Sequence, residues 1–398
     1  SKENYLHKKA QGTLRLEEYL SLVSSALATA LTRPDAKSIV EFLDEFYIEQ
    51  DRFISPEAKV FIGSYLSIFK VNKPVKVAYC ISVWNGQFKY SEVPMGLGWF
   101  RRNTDMLFKE GMSINPNISQ HLIFVNDGDD SFGRKESTGR VLRGITGQEY
   151  YRGIKERVHI LSLSQKDKKA MGSVKHGALA CAMRFAVDYL KADIIMYADG
   201  DMDPRQAGNL ISGIIRDKKD FAYGSIRVKD SAVFGRQLSR RMGTILYNWC
   251  VRVLLFWHKS IRGIRDTQRS FKAFKKEVLE NILPVKIVSI NREGGLTIEF
   301  DKEFLYDFSG DTEWLGRARM CGYSAKEVPI IWLDSPVTST IRFWATAVSI
   351  FKGALKQIRT QYLFKNRKEV LSQEGKNAFI GYQNEFSQVD SDSLSVKN

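Results

Sequence analysis

The chain has 398 residues, 43% hydrophobic and 26% charged, ordinary proportions for a globular protein that buries its own core. Its formal charge of +15 favours anionic partners such as nucleotide phosphates or an anionic membrane surface. Cys80, Cys181, Cys250 and Cys321 are scattered, and the five histidines show no ligand spacing. This argues against a disulfide framework or a zinc site and reads as buried thiols in a reducing compartment.

From about residue 13 to 70 the pattern is helical, with Leu14, Leu20, Val23, Leu27 and Leu31 recurring at helical spacing. Ser55-Pro56 predicts an N-cap followed by proline at the first helical position. The pattern changes at Pro74, where Val75 to Val83 reads as a strand. Leu122–Val125 and Val158–Leu161 are two more predicted strands, and Gly177–Leu190 a helix packed on a sheet. Ile194–Ala198 is a buried strand that stops at Asp199-Gly200-Asp201. Further on, Phe221–Ser225 is predicted as a strand, Asp301–Phe308 as a helix and Glu327–Trp332 as a late strand. Ser339–Leu363 reads as a helix, apolar on one side and carrying Lys352, Lys356 and Arg359 on the other. Such helices either lie on anionic membrane or pack across a domain. From about 366 the chain is a polar tail.

No apolar stretch reaches the ~18–20 residues a spanning helix needs. The most apolar one, Ile245 to Trp257, is interrupted by Arg252, and Ser1-Lys2-Glu3-Asn4 has no signal-like apolar run. A cytoplasmic protein is expected, with peripheral membrane attachment as a variant. The expected organisation is a helical extension over 1–72, a catalytic α/β domain over 73–338, the amphipathic helix over 339–365 and the tail over 366–398.

Alternating strands and helices predict a mostly parallel sheet, whose ligands bind beyond the carboxyl ends of strands. Two acidic loops, 126–130 and 199–203, fall at that edge. Asp199, Asp201 and Asp203 place carboxylates at alternate positions after a buried strand. Hard cations such as Mg²⁺ and Mn²⁺ take oxygen ligands and often use one or two carboxylates plus substrate phosphates. A D-x-D alone is a weak signal, because acidic loops are common and usually solvated.

The ordered series of motifs is more specific. It comprises Val125-Asn126-Asp127-Gly128, Lys175-His176-Gly177-Ala178-Leu179, Tyr197-Ala198-Asp199-Gly200-Asp201 and Gly224-Ser225-Ile226-Arg227, then Asp266-Thr267-Gln268-Arg269-Ser270-Phe271-Lys272, Phe300-Asp301-Lys302-Glu303-Phe304-Leu305 and Glu327-Val328-Pro329-Ile330-Ile331-Trp332. Over about residues 75 to 340 it resembles the inverting family-two glycosyltransferases of the GT-A fold, most of all the dolichyl- and polyprenyl-phosphate sugar transferases. One departure is the first strand end, Ser82-Val83-Trp84-Asn85-Gly86, where that family has P-x-Y-N-E.

The resemblance implies an α/β, GT-A (Rossmann-like) domain and transfer of a hexose from a nucleotide-sugar, UDP-glucose first, with Mn²⁺ or Mg²⁺ as cofactor. Asp201 is then the metal ligand with Asp203 assisting, and Ser82, Asn126, Asp127, Lys175, Asp199, Gly200 and Arg227 bind the nucleotide-sugar. Thr267 and Gln268 contact sugar or acceptor, while Asp301 as general base and Asp266 are the catalytic candidates. The acceptor is left open between a lipid phosphate, a glycan and a protein. Two rivals remain: a sugar-phosphate nucleotidyltransferase, disfavoured because Ser82 to Gly86 is no glycine-rich basic loop, and a non-enzymatic basic protein binding membrane or nucleic acid. Nucleic acid is not favoured as a partner.

Overall fold

The structure is a computed structural model that describes residues 56–83, 115–126, 156–164, 174–199, 202–234, 264–267, 269–283, 285–291, 294–300 and 310–333, with a few isolated positions. The helices expected before residue 56, the Asp301–Phe308 helix, the Ser339–Leu363 helix and the polar tail lie outside these residues.

The elements, in order, are α1 (Pro56–Phe69), β1 (Val75–Val83), β2 (Ile118–Asn126), β3 (Val158–Leu163), α2 (Val174–Asp188), β4 (Ile194–Ala198) and a 3₁₀ turn (Pro204–Gln206). There follow α3 (Ala207–Ile215), β5 (Phe221–Ser225), β6 (Ala232–Phe234), β7 (Phe271–Lys275), α4 (Lys276–Ile282), β8 (Val285–Ile290), β9 (Gly295–Phe300), α5 (Gly310–Met320), β10 (Ala325–Pro329) and β11 (Ile331–Leu333). Nine strands form one sheet in the order β10-β5-β7-β4-β1-β2-β3-β9-β8, and β11 and β6 form a second, parallel pair. In the large sheet only β7 and β8 run against the rest.

The mostly parallel α/β architecture expected from the sequence is present. Strands covered on both faces read as continuous apolar runs, and β4 and β5 are buried at every position. Successive residues alternate between two cores. Val77, Tyr79, Ile81, Ile194, Met196 and Ala198 join α1 and α3 on one face. Ala78, Cys80, Ile195 and Tyr197 join α2, α4 and α5 on the other. Of the expected buried thiols, Cys80 and Cys181 are buried, whereas Cys321 is only half-buried, in the turn after α5.

Helices α1 and α3 cross closely because α3 carries Gly208: a methyl there would lie 2.1 Å from the Ser64 carbonyl oxygen. Ser64 Oγ reinforces the crossing by donating to the Arg205 carbonyl at 2.6 Å. The late strand expected over Glu327–Trp332 is two strands in two sheets. Pro329 has no N–H to continue the ladder, and the next amide, Ile330 N–H, turns to Ser231 Oγ at 3.3 Å. The amide of Gln206 then clasps Ile331, accepting its N–H at 2.6 Å and donating to its carbonyl at 3.1 Å.

His121 on β2 and His159 on β3 meet end to end, Nδ1 to Nε2 at 3.2 Å, so one ring donates to the other. Phe185 packs on His159, with ring centroids 5.3 Å apart. Burial and the neighbouring His121 hold His159 down at about 4, and burial with Lys76 and Arg157 lowers His121. A depressed histidine favours the neutral ring in the folded state, so its contribution is present above the unfolded value of 6.5 and lost as pH falls towards about 4. Stability should decline across that window, and His159→Phe should flatten the decline, as urea midpoints at about pH 7 and about pH 5 will show. Gly208→Ala should cost about 1–3 kcal/mol by forcing the helices apart, read from urea unfolding at neutral pH.

Candidate functional site at the carboxyl edge of the sheet

The register gathers the candidate residues at one edge. Ile81 pairs with Ala198, and Ser82 and Val83 with Val125 and Asn126, so Ser82, Asn126 and Asp199 end adjacent parallel strands together. Because β7 is reversed, it is its beginning that reaches this edge: Phe271 pairs with Ala198. The Asp199 N–H extends that ladder to the Ser270 carbonyl at 3.0 Å. The residues described before β7, 264–267 and 269–270, thereby come to lie beside the chain that follows β4 and β5.

Lys175, in the first turn of α2, forms an ion pair with the Asp199 carboxylate, both side chains being half-buried. Asp203 caps the 3₁₀ turn, its Oδ1 accepting from Arg205 N–H at 3.0 Å and Nε at 3.1 Å, while Oδ2 pairs with Nη2 at 2.7 Å. The Arg205 side chain itself is buried and lies over the Phe61 ring at 5.5 Å. Asp203 is therefore committed to shaping the turn that follows Asp201.

Asp266 is fully buried; its Oδ2 accepts from Ile226 N–H at 3.4 Å and lies 3.6 Å from Arg269 Nε. It ties the segment before β7 to the loop after β5. Arg269 in turn stacks on Trp332, its guanidinium carbon 4.4 Å from the ring centroid. Thr267 is buried, and its hydroxyl has no hydrogen-bond partner among the described residues. Arg227 follows β5 and donates its N–H to Ser225 Oγ at 3.1 Å; its guanidinium forms no ion pair among the described residues. Ser82 is buried at the end of β1. Asp127, Gly200, Asp201, Gln268 and Asp301 lie outside the described residues, as does the side chain of Asn126.

One residue of this neighbourhood escaped the sequence reading. Asp311, in the first turn of α5, is buried and accepts from Tyr197 OH at 2.5 Å, Ser270 Oγ at 2.9 Å and Lys272 Nζ at 3.0 Å, with His176 Nε2 at 3.4 Å. Burial alone would raise its pKa; the Lys272 charge, His176 and Lys175 overrule it and hold the carboxyl well below the ordinary range. Burial pulls Lys272 the other way, towards the neutral amine, against the opposing pull of Asp311. The geometry favours the charged pair, because Nζ lies 3.0 Å from a carboxylate oxygen that is itself held ionised. Trp314, one turn along α5, packs edge-on against Tyr197 and His176 at 5.0 and 5.7 Å. The signal available in sequence was an acidic residue in the first turn of a helix, which by itself says only that the dipole is complemented.

Among the described residues no three His, Cys, Asp or Glu side chains form a metal-ligand group. A cavity of about 330 Å³ opens between α1, α3 and β10, but none of the candidate residues lines it. Among the same residues no helix is long and apolar enough to cross a membrane.

No protein-family model and no curated protein sequence matches the chain. Solved structures that share part of its shape include glucosyl-3-phosphoglycerate synthase from Mycobacterium tuberculosis in several complexes. The complex with Mn²⁺, uridine diphosphate and phosphoglyceric acid has a TM-score of 0.42 and 10% identity over 72% of this chain and 78% of that one. The complex with Mn²⁺ and UDP-glucose has 0.40 and 11% identity over 72% and 79%. Similarity this distant leaves the function to be argued from the chain's own residues.

Asp203→Ala removes both the cap and the partner of a buried guanidinium, and should cost about 1–3 kcal/mol in urea unfolding. Asp203→Asn, which keeps a capping oxygen, should recover part of that loss.

Proposed function

We propose that the chain is a metal-dependent glycosyltransferase of the GT-A kind, moving a hexose from a nucleotide-sugar to an acceptor hydroxyl or phosphate with inversion. One observation carries the reading: Asn126, Asp199 and the residues before β7 meet at the carboxyl edge of a mostly parallel sheet, and the motif series that resembles the glycosyltransferases falls on those same positions.

The metal fits the donor set in kind. Asp199 and Asp203 flank Asp201 in one loop, all hard oxygen donors suited to Mg²⁺ or Mn²⁺. Asp201 is the proposed ligand, with Asp203, already engaged by Arg205, assisting through water. When bound, the cation stabilises the negative charge that develops on the departing diphosphate.

The chain's own groups do the rest. Lys175 and Arg227 hold the diphosphate, as cationic donors matched to phosphate oxygens. Lys175 exchanges its Asp199 partner for that phosphate, which frees Asp199 for the ribose or the metal. Asn126, Asp127 and Ser82 hold the base and ribose side, with Gly200 giving close backbone approach. Asp266, Thr267 and Gln268 place the sugar and acceptor, Thr267 contributing a buried hydroxyl with no other partner among the described residues. Asp301 takes the proton of a hydroxyl acceptor; a phosphate acceptor is already ionised and needs no base. A UDP-sugar donor follows from the motif resemblance, the acceptor being a lipid phosphate, a glycan or a protein; a cytoplasmic site, with peripheral membrane contact as a variant, follows from the composition.

Thermal-shift and calorimetric titration with UDP-glucose, GDP-mannose and UDP-N-acetylhexosamine, each with and without Mn²⁺, test the proposal. One nucleotide-sugar should raise the midpoint only when the metal is present, and Asp201→Ala should abolish that increment. Lys175→Ala should weaken nucleotide-sugar binding about tenfold or more. Retention of metal-dependent binding by Asp201→Ala would refute the assigned metal role.

A further inference from the structure

The Asp311 cluster touches α2, β4 and β7, the elements that carry Lys175 and Asp199 and the strand that pairs beside them. His176, which contacts Asp311 at 3.4 Å, is the neighbour of Lys175 in the first turn of α2. Tyr197, whose hydroxyl reaches Asp311 at 2.5 Å, lies two residues before Asp199 on β4. Ser270 donates its hydroxyl to Asp311 at 2.9 Å while its carbonyl accepts the Asp199 N–H at 3.0 Å. Lys272 crosses from β7 in register with Tyr197 and pairs with Asp311 at 3.0 Å. Three chain segments that share no local sequence thus end on two carboxylate oxygens.

We propose that Asp311 is a positioning residue: by gripping α2, β4 and β7 at once, its carboxylate fixes Lys175 and Asp199 relative to each other and so sets the geometry in which a nucleotide diphosphate is received. The proposal rests on the glycosyltransferase reading only in naming that ligand; the mechanical claim about Lys175 and Asp199 stands on the contacts alone. A neutral replacement that preserved packing would keep the fold but remove the one carboxylate that α2, β4 and β7 share, leaving the Lys175–Asp199 ion pair and the β4–β7 ladder to link them. A buried charge pair is also separable from stability, since removing one partner strands the other, whereas removing both together is often tolerated.

The experiment is a double-mutant cycle of Asp311→Asn, Lys272→Met and the combination. Each protein is read by urea unfolding, by amide hydrogen exchange of residues 174–180 and 194–199, and by calorimetric binding of UDP-glucose with Mn²⁺. Asp311→Asn should lower the unfolding midpoint, and the double variant should recover most of it. Exchange of both segments in the double variant should stay about tenfold or more faster than in the wild type, and nucleotide affinity about tenfold or more weaker. Recovery of slow exchange together with stability would overturn the proposal and leave Asp311 a purely structural charge. If the wild type binds no nucleotide-sugar, the glycosyltransferase reading fails while the exchange comparison still decides the positioning claim. Should the double variant not fold, two milder changes replace it. His176→Phe should loosen 174–180 alone, and Ser270→Ala should loosen 194–199 alone. No change in either segment would overturn the proposal equally.

Discussion

A carboxylate taken out of water must be repaid in donors, and at Asp311 the chain supplies them from four residues on three elements. The direction of this dependence is informative. Tyr197 stays protonated, its phenol raised by burial, then by the Asp311 charge and the hydrogen bond, so it remains a donor. Lys272, fully buried, can stay charged only beside a carboxylate. Tyr197 and Lys272 are thus donors that the ionised Asp311 requires, and replacing that carboxylate would leave both without this acceptor.

The same logic recurs in smaller form elsewhere at the edge. Asp203 is held by Arg205, Asp199 by Lys175 and Asp266 by a backbone amide and Arg269. Part of the chain's basic complement is thus folded inward against acids and leaves the net charge of +15 to the other bases. Among the described acids of this edge, every one has a basic neighbour on the same chain.

Much of the fold was legible because buried parallel strands announce themselves as largely apolar runs: Val75–Val83 and Ile194–Ala198 are found where their composition puts them. The loops that close such strands are equally visible, which is why Asp199 was placed at the correct edge. What stayed hidden was long-range. Nothing in Phe271-Lys272-Ala273-Phe274-Lys275 says that it inserts in reverse between β4 and β5, because strand direction is set by partners far away in sequence. Lys272 stands in an alternating run that carries no mark of burial, yet it is fully buried. Asp311 was missed for the same reason: its first turn looks like any helix start until β4 and β7 are brought beneath it. The break of the late strand at Ile330 was overlooked although Pro329 marks it, because both halves are apolar and the second finds a different partner in β6.

The reversed β7 has a consequence for how the chain assembles. Its two partners, β4 and β5, cannot pair with each other directly, so the middle of the sheet stays open until residues 271–275 exist. During synthesis from the amino end, β1, β2 and β4 can associate early but present an apolar strand with one side unmatched, the kind of margin that invites sticking to other chains. Closure waits for a segment more than seventy residues downstream of β4, and the carboxylate that clamps the joint arrives later still. A nascent chain of this protein therefore passes through a long interval in which its central sheet is half-built.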